Sequence, residues 1–530
     1  MASPVEVPSV TVHSRRGMVS SVDHLASNAG VAMLRAGGSA ADAAVATSAM
    51  LAVTTQHMCG MGGDLWALIH HDGGAAQPDT LNASGWAGSG ADPDAARAEG
   101  LSEIPLYGDI RASPVPGCVD GWMTLHGRHG RLSMAQVLAP AIDAAAGGFP
   151  ASPHTVASIP HVARHPWATD YTAGGAPRIG SIIKRPGVAR TLEAIADDGR
   201  DAFYLGEFGD GLLEMGRGEY TRSDLEHKHA DWVDPVAVEA FGHTLWTTPP
   251  NSQGYLSLAS AWIADGLDLP TDPDDPMWAH LLIESSRQAG YDRPDVLHQD
   301  ADGQALVSPH HLTPRRDAIS EGRAGDLRVP GAAGDTIYLC AVDENRMGVS
   351  LIQSNAGGWG SGLAEPSTRI FLHNRGLGFN LIPGHGAEYR SRRRPPHTLS
   401  PALVTNPDGS LRTVLGTMGG DSQPQVVLQM LARLLHCGQS PSRTVASGRW
   451  RLYGDTPTGF HTWADPSRLV VQIEGHAPAW ASDLENKGHR TATLERHDTA
   501  FGHAHLIDVR GDVLAGCADP RAMTGAAQGL

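Results

Sequence analysis

The sequence is poor in cysteine, in lysine and in long apolar runs. Only three of its 40 basic residues are lysine, a compositional bias to which we assign no mechanism. Its five cysteines are far apart and form no CxxC pair, so the sequence predicts no disulfide framework and fits a reducing compartment. No uninterrupted run of about 18 apolar residues occurs, which excludes a membrane-spanning helix. Because residues 1–12 also lack the basic and apolar regions of a secretory signal, we expect a cytoplasmic protein with no membrane partner.

Positive charge is scarce as well. The chain has 40 Lys and Arg against 57 Asp and Glu, a formal net charge of −17. Nucleic-acid binding needs a basic face that neutralises phosphates. The one short basic run, from Arg390 to Arg394, is typical of a solvated loop. We therefore expect no nucleic-acid partner.

Hydrophobic periodicity predicts helices layered around strands, which is an α+β fold. Residues His24 to Arg35 place their apolar side chains on one helical stripe, which Gly37-Gly38 ends, and Ser39 can cap a second helix. The other patterns predict helices over 42–53, 131–146 and 424–436, and strands over 65–69, 336–342, 348–353, 369–372, 402–405 and 413–416. A Gly-rich turn at 59–64 leads into a strand, the reverse of the phosphate-loop order, so no nucleotide cofactor is expected there.

One junction in the middle of the chain is chemically informative. Residues 322–334 are rich in Gly, Ala and charge and are typical of an exposed linker, and a predicted strand begins abruptly at Thr336. A threonine hydroxyl is a poor nucleophile unless a base lies beside it, and a free amine on the same residue can be that base. Cleavage between Asp335 and Thr336 would create such an amine. The alternative interpretation is an ordinary β-branched strand residue.

Short sequence blocks along most of the chain carry a family resemblance. In order, they are Gly17-Met-Val-Ser-Ser, His24-Leu-Ala-Ser, Leu34-Arg-Ala-Gly-Gly-Ser-Ala-Ala-Asp-Ala-Ala, Gly60-Met-Gly-Gly-Asp, Pro114-Val-Pro-Gly, Leu138-Ala-Pro-Ala-Ile, Gly334-Asp-Thr-Ile-Tyr, Gly360-Ser-Gly, His397-Thr-Leu-Ser-Pro and Gly416-Thr-Met-Gly-Gly. Together they resemble the γ-glutamyltransferase family of N-terminal nucleophile hydrolases. The resemblance implies a four-layer αββα sandwich and self-cleavage into a large subunit, 1–335, and a small subunit, 336–530. It also implies that the two subunits stay associated, leaves open a dimer of such heterodimers, and requires no cofactor.

The resemblance also implies roles for four residues. Thr336 takes the position of the nucleophile, and Ser354 takes the position of a second hydroxyl that hydrogen-bonds to it. Gly419 and Gly420 match the paired glycines whose backbone N–H groups form the oxyanion hole. A donor in that position is worth about 2.7–4 kcal/mol at the transition state.

The charged anchors of a γ-glutamyl substrate are missing from the sequence. The Arg that holds the glutamyl carboxylate in the family corresponds to Ser84, and the Asp that holds the amine corresponds to Gly378. The serine pair that also contacts the carboxylate corresponds to His397 and Thr398. A lost partner of a buried ion pair costs about 2–5 kcal/mol, so we expect γ-glutamyl transfer not to be the main reaction. Arg375 is a residue that could compensate.

The substituted motifs are similar to an oxamate-amidohydrolase-like branch of the family, which hydrolyses small acyl amides. The similarity lies in Ser350-Leu-Ile-Gln-Ser-Asn355, Asn374-Arg-Gly-Leu-Gly-Phe, Pro396-His-Thr-Leu and Gly416-Thr-Met-Gly-Gly-Asp-Ser-Gln-Pro-Gln. Where that branch has Arg near position 86, this chain has Trp86, which cannot bind a carboxylate with a planar fork and indicates a larger or less anionic substrate. The candidate substrate-binding residues are Ser84, Trp86, Asn355, Arg375, His397 and Thr398.

Histidine is abundant, but its pattern does not predict a metal site. His161 and His165 have helical spacing, yet no Glu follows the first and Pro166 follows the second, so surface histidines are the favoured interpretation. His397 lies in a substrate-binding block. A substrate contact and a structural hydrogen bond are equally open for it.

The sequence therefore predicts a self-processed threonine hydrolase that cleaves, or transfers the acyl group of, a non-glutamyl amide. Three alternatives stay open: hydrolysis of a C–C bond beside an oxalyl group, as in a natural-product branch of the family, true γ-glutamyl transfer, and a non-catalytic scaffold. Ile337 motivates the last alternative, because the family commonly has a second Thr after the nucleophile.

Overall fold

Two seven-stranded antiparallel sheets stacked face to face form the centre of the molecule. The computed structural model describes residues 9–71, 77–325, 335–454, 462–463 and 465–530. In chain order its strands are β1 (Val12–Ser14), β2 (Gly17–Ser21), β3 (Asp64–His70), β4 (Asp79–Ala83), β5 (Phe149–Pro150), β6 (Ile182–Ile183), β7 (Asp231–Val233), β8 (Val236–Ala240), β9 (His243–Thr247), β10 (Asp335–Asp343), β11 (Gly348–Ala356), β12 (Ala402–Thr405), β13 (Leu411–Thr417), β14 (Trp450–Tyr453), β15 (Val470–Glu474), β16 (Thr491–Leu494), β17 (Ala504–Arg510), β18 (Val513–Ala518) and β19 (Ala526–Gly529).

Helices cover both outer faces of the stacked sheets. In chain order they are α1 (His24–Arg35), α2 (Ala40–Thr54), α3 (Pro93–Ala98), α4 (Cys118–His129), α5 (Met134–Gly147), α6 (Pro153–Ser158), α7 (Thr169–Thr172), α8 (Pro186–Asp198), α9 (Arg200–Tyr204), α10 (Glu207–Gly216), α11 (Arg222–Glu226), α12 (Tyr255–Asp265), α13 (Pro276–Gly290), α14 (Arg293–Val296), α15 (Gly303–Leu306), α16 (Pro309–Asp317), α17 (Gln423–Leu431), α18 (Pro441–Ala446) and α19 (Ala481–Asn486). In the part of the chain that the structure describes, every helix is too short or too polar to cross a bilayer.

The order of strands interleaves distant parts of the chain. The first sheet has the order β19-β2-β10-β11-β3-β4-β7, and the second has the order β1-β18-β17-β13-β12-β9-β8. Strands from before and after residue 335 are therefore interleaved in the first sheet, and in the second sheet four later strands lie between β1 and the β9–β8 pair.

Three apolar layers define the sandwich. Between the sheets, Trp66 and Tyr338 of the first sheet pack with Leu403 and Ile507 of the second. Helices α1, α2 and α5 cover the outer face of the first sheet, and α12, α13 and α17 cover the outer face of the second. The predicted αββα sandwich is confirmed.

Most of the elements predicted from periodicity are present. Helix α2 is buried along its whole length, because its alanines allow close packing on all sides, and Ser39 caps it in a reciprocal capping box with Asp42. The hairpin of β10 and β11 is as predicted but slightly longer. The strand predicted over 369–372 is wrong: Arg369 has a φ of 57°, which no strand residue adopts, and only Phe371 makes an isolated bridge there. Residues 326–334 of the predicted linker lie outside the described residues.

Candidate active site

The predicted cleavage site lies at an irregularity in the centre of the first sheet. Asp335 pairs with Ala356 and Ile337 with Gln353, and the register of the two strands shifts between these pairs. Such a bulge interrupts regular pairing and turns the local backbone, as often happens beside active sites. The backbone of Thr336 lies at this shift. The side chains of Asp335 and Thr336 lie outside the described part of the structure.

Ser354 and Thr398 are joined by a buried arginine. Arg375, only 1% exposed, donates from Nη1 to Thr398 Oγ1 at 2.9 Å and from Nη2 to Ser354 Oγ at 3.3 Å. Ser354 Oγ also accepts a hydrogen bond from the backbone N–H of Ala356 at 2.8 Å. The guanidinium group therefore brings a fixed positive charge next to the hydroxyl predicted to contact the nucleophile.

A second arginine and an aspartate share this buried region. Arg293 Nη2 lies 3.6 Å from Asp421 Oδ1, and both side chains are at most 5% exposed. Burial raises the pKa of Asp421 to about 6, and the nearby charges of Arg293 and Arg375 limit the rise. Two permanent cations thus face one carboxyl group that ionises only near neutral pH. The positive charges of the region are then only partly balanced, which would favour a further anion.

The glycine turn after β13 is held in one orientation by its carbonyl groups. Gly419 and Gly420 have φ values of 131° and 58°, and a Cβ atom on Gly419 would lie 2.5 Å from Ser422 Oγ. Thr417 Oγ1 donates to Met418 O at 2.8 Å, and Ser422 Oγ donates to Gly419 O at 2.7 Å. In a trans peptide the N–H of the next residue points away from the carbonyl. The N–H groups of Gly419 and Gly420 are therefore fixed in direction, as preorganised oxyanion donors must be.

Gln253 connects the glycine turn to Thr398. Its Nε2 donates to Gly420 O at 3.0 Å and to Thr398 O at 3.2 Å, and the side chain is fully buried. Sequence reasoning missed this residue. The polar run Asn251-Ser-Gln between Pro250 and Gly254 was the available signal, since such residues are buried only when they are hydrogen-bonded.

His397 lies in a buried charged group rather than on an open surface. Its Nε2 lies 2.9 Å from Asp64 Oδ2, and its Nδ1 accepts from the N–H of Leu399 at 3.3 Å. Burial would raise the pKa of Asp64, but His373 and His397 together lower it well below its usual range. Both ring nitrogens of His397 are engaged by the protein, which is the geometry of a structural hydrogen bond, and a substrate contact stays a prediction.

A cleft of about 990 Å³ opens beside the glycine turn. Met418, which precedes Gly419, lines it, and so does Met58, whose carbonyl accepts from the N–H of Asn355 at 3.0 Å. Its walls also contain Trp167 and Trp359. The cleft therefore begins within one or two residues of the predicted oxyanion hole and of Ser354. Its volume is that of a site for a drug-sized molecule.

His161 and His165 lie along this cleft. His165 stacks on Trp167 with ring centroids 4.7 Å apart. Across the described ranges, no group of three or more His, Cys, Asp or Glu side chains is placed to hold a metal ion.

Comparison with known proteins identifies the family. A family model described as Gamma-glutamyltranspeptidase matches residues 26–529. The chain belongs to this family. It is 36% identical to the oxamate amidohydrolase proenzyme of Klebsiella pneumoniae, over 97% of this chain and 99% of that protein, and 34% identical to the glutathione hydrolase-like YwrD proenzyme of Bacillus subtilis, over 98% and 99%. The crystal structure of cephalosporin acylase from Bacillus halodurans superposes with a TM-score of 0.90 at 30% identity, covering 100% of this chain and 98% of that one.

The structure gives the surroundings of the two positions predicted to have lost the charged glutamyl anchors, Ser84 and Gly378. Ser84 is buried and donates to Asn82 Oδ1 at 2.7 Å, while it accepts from Asn251 Nδ2 at 3.2 Å. At Gly378, a Cβ atom would lie 2.3 Å from Pro396 O, so this position has no room for a side chain. Neither position can supply a charged anchor.

The described contacts of Trp86 and Asn355 are with neighbouring protein groups. Trp86 stacks on His227 with ring centroids 4.1 Å apart, and the guanidinium carbon of Arg394 lies over the Trp86 ring, 5.6 Å from its centre. Asn355 Nδ2 donates to the carbonyl of Gln56 at 2.9 Å. Their contacts to substrate stay predictions, whereas Ser354, Arg375 and Thr398 are brought together and joined to the glycine turn.

Proposed function

We propose that this member of the gamma-glutamyltranspeptidase family is activated by cleavage between Asp335 and Thr336. The large fragment would comprise residues 1–335 and the small fragment 336–530, and the interleaved strands would hold the two together. Thr336 would attack the acyl carbon, and its amine would take the hydroxyl proton and pass it to the leaving amine. Water would then hydrolyse the ester to release the acid and restore the hydroxyl.

The acyl group of the proposed substrate is small and carries an anionic oxygen close to the reacting carbon. The observation that carries this proposal is the buried guanidinium of Arg375, which contacts Ser354 and Thr398, at a site whose distant glutamyl anchors are absent. An oxalyl amide has its carboxylate on the atom next to the scissile carbonyl. Arg binds such a planar carboxylate with paired N–H groups. The names of the Klebsiella and Bacillus halodurans relatives, an oxamate amidohydrolase and an acylase, agree with amide hydrolysis.

A substrate panel tests the proposal. We expect oxamate and N-aryl oxamates to be hydrolysed with a kcat/KM about 10³-fold above that of γ-glutamyl-4-nitroanilide, since two lost charged anchors cost about 4 kcal/mol. Released amine and acid are measured by chromatography, with a neutral N-aryl acetamide as the matched control for the anionic oxygen. Comparable turnover of the γ-glutamyl anilide would overturn the assignment of a small anionic acyl group. If a fully cleaved protein hydrolyses no amide of the panel, the non-catalytic scaffold is favoured instead.

The pH dependence of KM should report on Asp421. Above about pH 6 its carboxylate is charged and competes with the substrate carboxylate for the nearby arginines, and below that pH it is neutral. The KM for an anionic amide should therefore rise about tenfold as the pH increases through 6. Asp421→Asn should keep the low KM at every pH, and the neutral acetamide should show no such change. A KM that falls with rising pH would contradict the assignment.

A further inference from the structure

The loop before β17 lies against the glycine turn. The backbone N–H of Met418 donates to His503 O at 3.3 Å, and a Cβ atom on Gly502 would lie 2.4 Å from Met418 O. A Cβ atom on Gly419 would lie 3.6 Å from the Cα atom of Gly502. Residues 500–503, the backing loop, are therefore in contact with the peptide that joins Met418 to Gly419. The N–H of this peptide is one of the two predicted oxyanion donors.

Two arginines hold the backing loop by its carbonyl groups. Arg449 Nη1 donates to Phe501 O at 2.7 Å and to Gly502 O at 3.2 Å. Arg451 Nη1 donates to Ala500 O at 2.9 Å. Because the donors are charged, these bonds are about twice as strong as neutral ones. Three consecutive carbonyl groups of the loop are thus bound by side chains from the start of β14.

Arg449 is itself fixed by a buried network of charges. Its Nη2 donates to Asp519 Oδ2 at 2.7 Å, and Asp519 Oδ1 accepts from Arg521 Nη1 at 3.0 Å. Arg521 Nε donates to Glu474 Oε1 at 2.9 Å, and Glu474 Oε2 accepts from the backbone N–H of Arg449 at 3.1 Å. Burial would raise the pKa of Asp519, but the two arginines lower it well below its usual range. The network therefore stays charged near neutral pH and holds the guanidinium of Arg449 in one orientation.

The end of β13, which leads into the glycine turn, is fixed to two other strands. Thr417 pairs with Ala504 at the start of β17, directly after the backing loop. A Cβ atom on Gly416 would lie 2.5 Å from Cε2 of Tyr338, so β13 packs closely on β10, the strand that contains Thr336. A displacement of the backing loop would therefore move the Met418–Gly419 peptide relative to β10.

We infer that Arg449 is a positioning residue, which holds the backing loop so that the Met418–Gly419 peptide directs its N–H at the oxyanion. The inference rests on the proposed function, because an oxyanion forms only when an acyl group is attacked. Arg449 is 2% exposed and its described hydrogen bonds are all to protein groups, so it acts through the loop and not on the substrate. Donors that are fixed in advance stabilise a transition state, and a misplacement of about 1 Å can cost about 10²-fold in rate.

Arg449→Lys is the first test, because lysine keeps the charge beside Asp519 but has no planar fork for the loop carbonyls and the carboxylate together. We expect the kcat for an oxamate amide, per cleaved molecule, to fall about tenfold in this variant and about 10²-fold in Arg449→Met. The KM should change by less than about twofold, since the donor acts in the transition state. Arg443→Met, an exposed arginine of α18, is the matched control and should keep both constants. A wild-type kcat in the lysine variant would overturn the inference.

A boronic acid measures the same peptide without an oxamate. Its boron accepts the oxygen of Thr336 while the Thr336 amine takes the hydroxyl proton, which gives a tetrahedral anion that resembles the transition state. Calorimetry with cleaved protein should show the dissociation constant of phenylboronic acid rising about as much as kcat falls in each Arg449 variant. Thermal unfolding identifies a variant that fails to fold. If Arg449→Met fails, Arg449→Lys decides, because it keeps the buried charges balanced.

The two readouts separate this inference from the proposed reaction. Boronic acid binding that weakens in the expected order, without turnover of any oxamate, would refute the proposed acyl group and support the positioning role. Oxamate turnover with unchanged kcat and unchanged boronic acid binding in Arg449→Lys would refute the positioning role alone. A rise in KM with unchanged boronic acid binding would also refute it. A cleaved wild type that neither binds the boronic acid nor hydrolyses an amide would refute both.

Discussion

A Thr336→Ala variant is expected to remain one uncut chain without measurable activity. Alanine lacks the hydroxyl that would attack the preceding carbonyl during maturation, and the same hydroxyl would later attack the substrate. The loss should exceed about 10⁴-fold in kcat, because removal of a nucleophile leaves only binding and the oxyanion donors. Intact mass under denaturing conditions measures the cut, and N-terminal sequencing of the small fragment should begin at Thr336.

Thr336→Ser is the matched control, since it keeps a hydroxyl at the same position. We expect it to be cut and to retain activity, with altered rates, because serine is a nucleophile of the same kind. Turnover by the alanine variant would refute the nucleophile assignment. A wild-type chain that stays uncut on prolonged incubation would favour the non-catalytic alternative raised by Ile337.

The second large effect is expected at Arg375. Arg375→Met keeps the apolar stem but removes the charge and the hydrogen bonds to Ser354 and Thr398, so kcat/KM for an oxamate amide should fall about 10²–10³-fold. Loss of a buried partner should also lower the melting temperature, because Asp421 then keeps only Arg293 as a nearby cation. Steady-state kinetics and thermal unfolding measure the two effects.

Arg375→Lys distinguishes recognition of the substrate from general damage to the site. A lysine keeps the charge but cannot form paired N–H bonds in one plane. Relative to Arg375→Met, it should therefore recover more of the melting temperature than of the kcat/KM for the anionic amide. The neutral acetamide should be nearly insensitive to either change once the protein is cut. An equal loss for the anionic and the neutral amide would show that Arg375 does not recognise the carboxylate.

The parts of the fold that were predicted are those with a strong local pattern. Helix α2 has a capping serine and is rich in helix-forming alanine, and the β10–β11 hairpin has two apolar runs around a polar turn. The strands after residue 450 were missed. Four of them, β14, β15, β16 and β19, have only four or five residues, and their pairing over long sequence separations, as between β2 and β19, is not visible in the local pattern.

The candidate site was predicted only in part, for a similar reason. Motif positions located Ser354, Arg375 and Thr398, and the structure joins them across separations of 21 and 23 residues. No local pattern links Arg293 with Asp421, because tertiary packing alone makes this pair adjacent.

The alternation of strands in the first sheet has a consequence for reassembly. From β19 to β3, its order takes strands from the proposed small, large, small, small and large fragments, and strand β2 lies between two strands of the other fragment. If the chain is cut as proposed, neither fragment would have a complete sheet, and separation of the fragments would require the first sheet to come apart between β19 and β2, β2 and β10, and β11 and β3. Renaturation would then change from a unimolecular reaction of one chain to a bimolecular reaction of two fragments, whose half-time depends on protein concentration. Maturation would thus leave the folded protein intact but make its renaturation from separated fragments slow at low protein concentration.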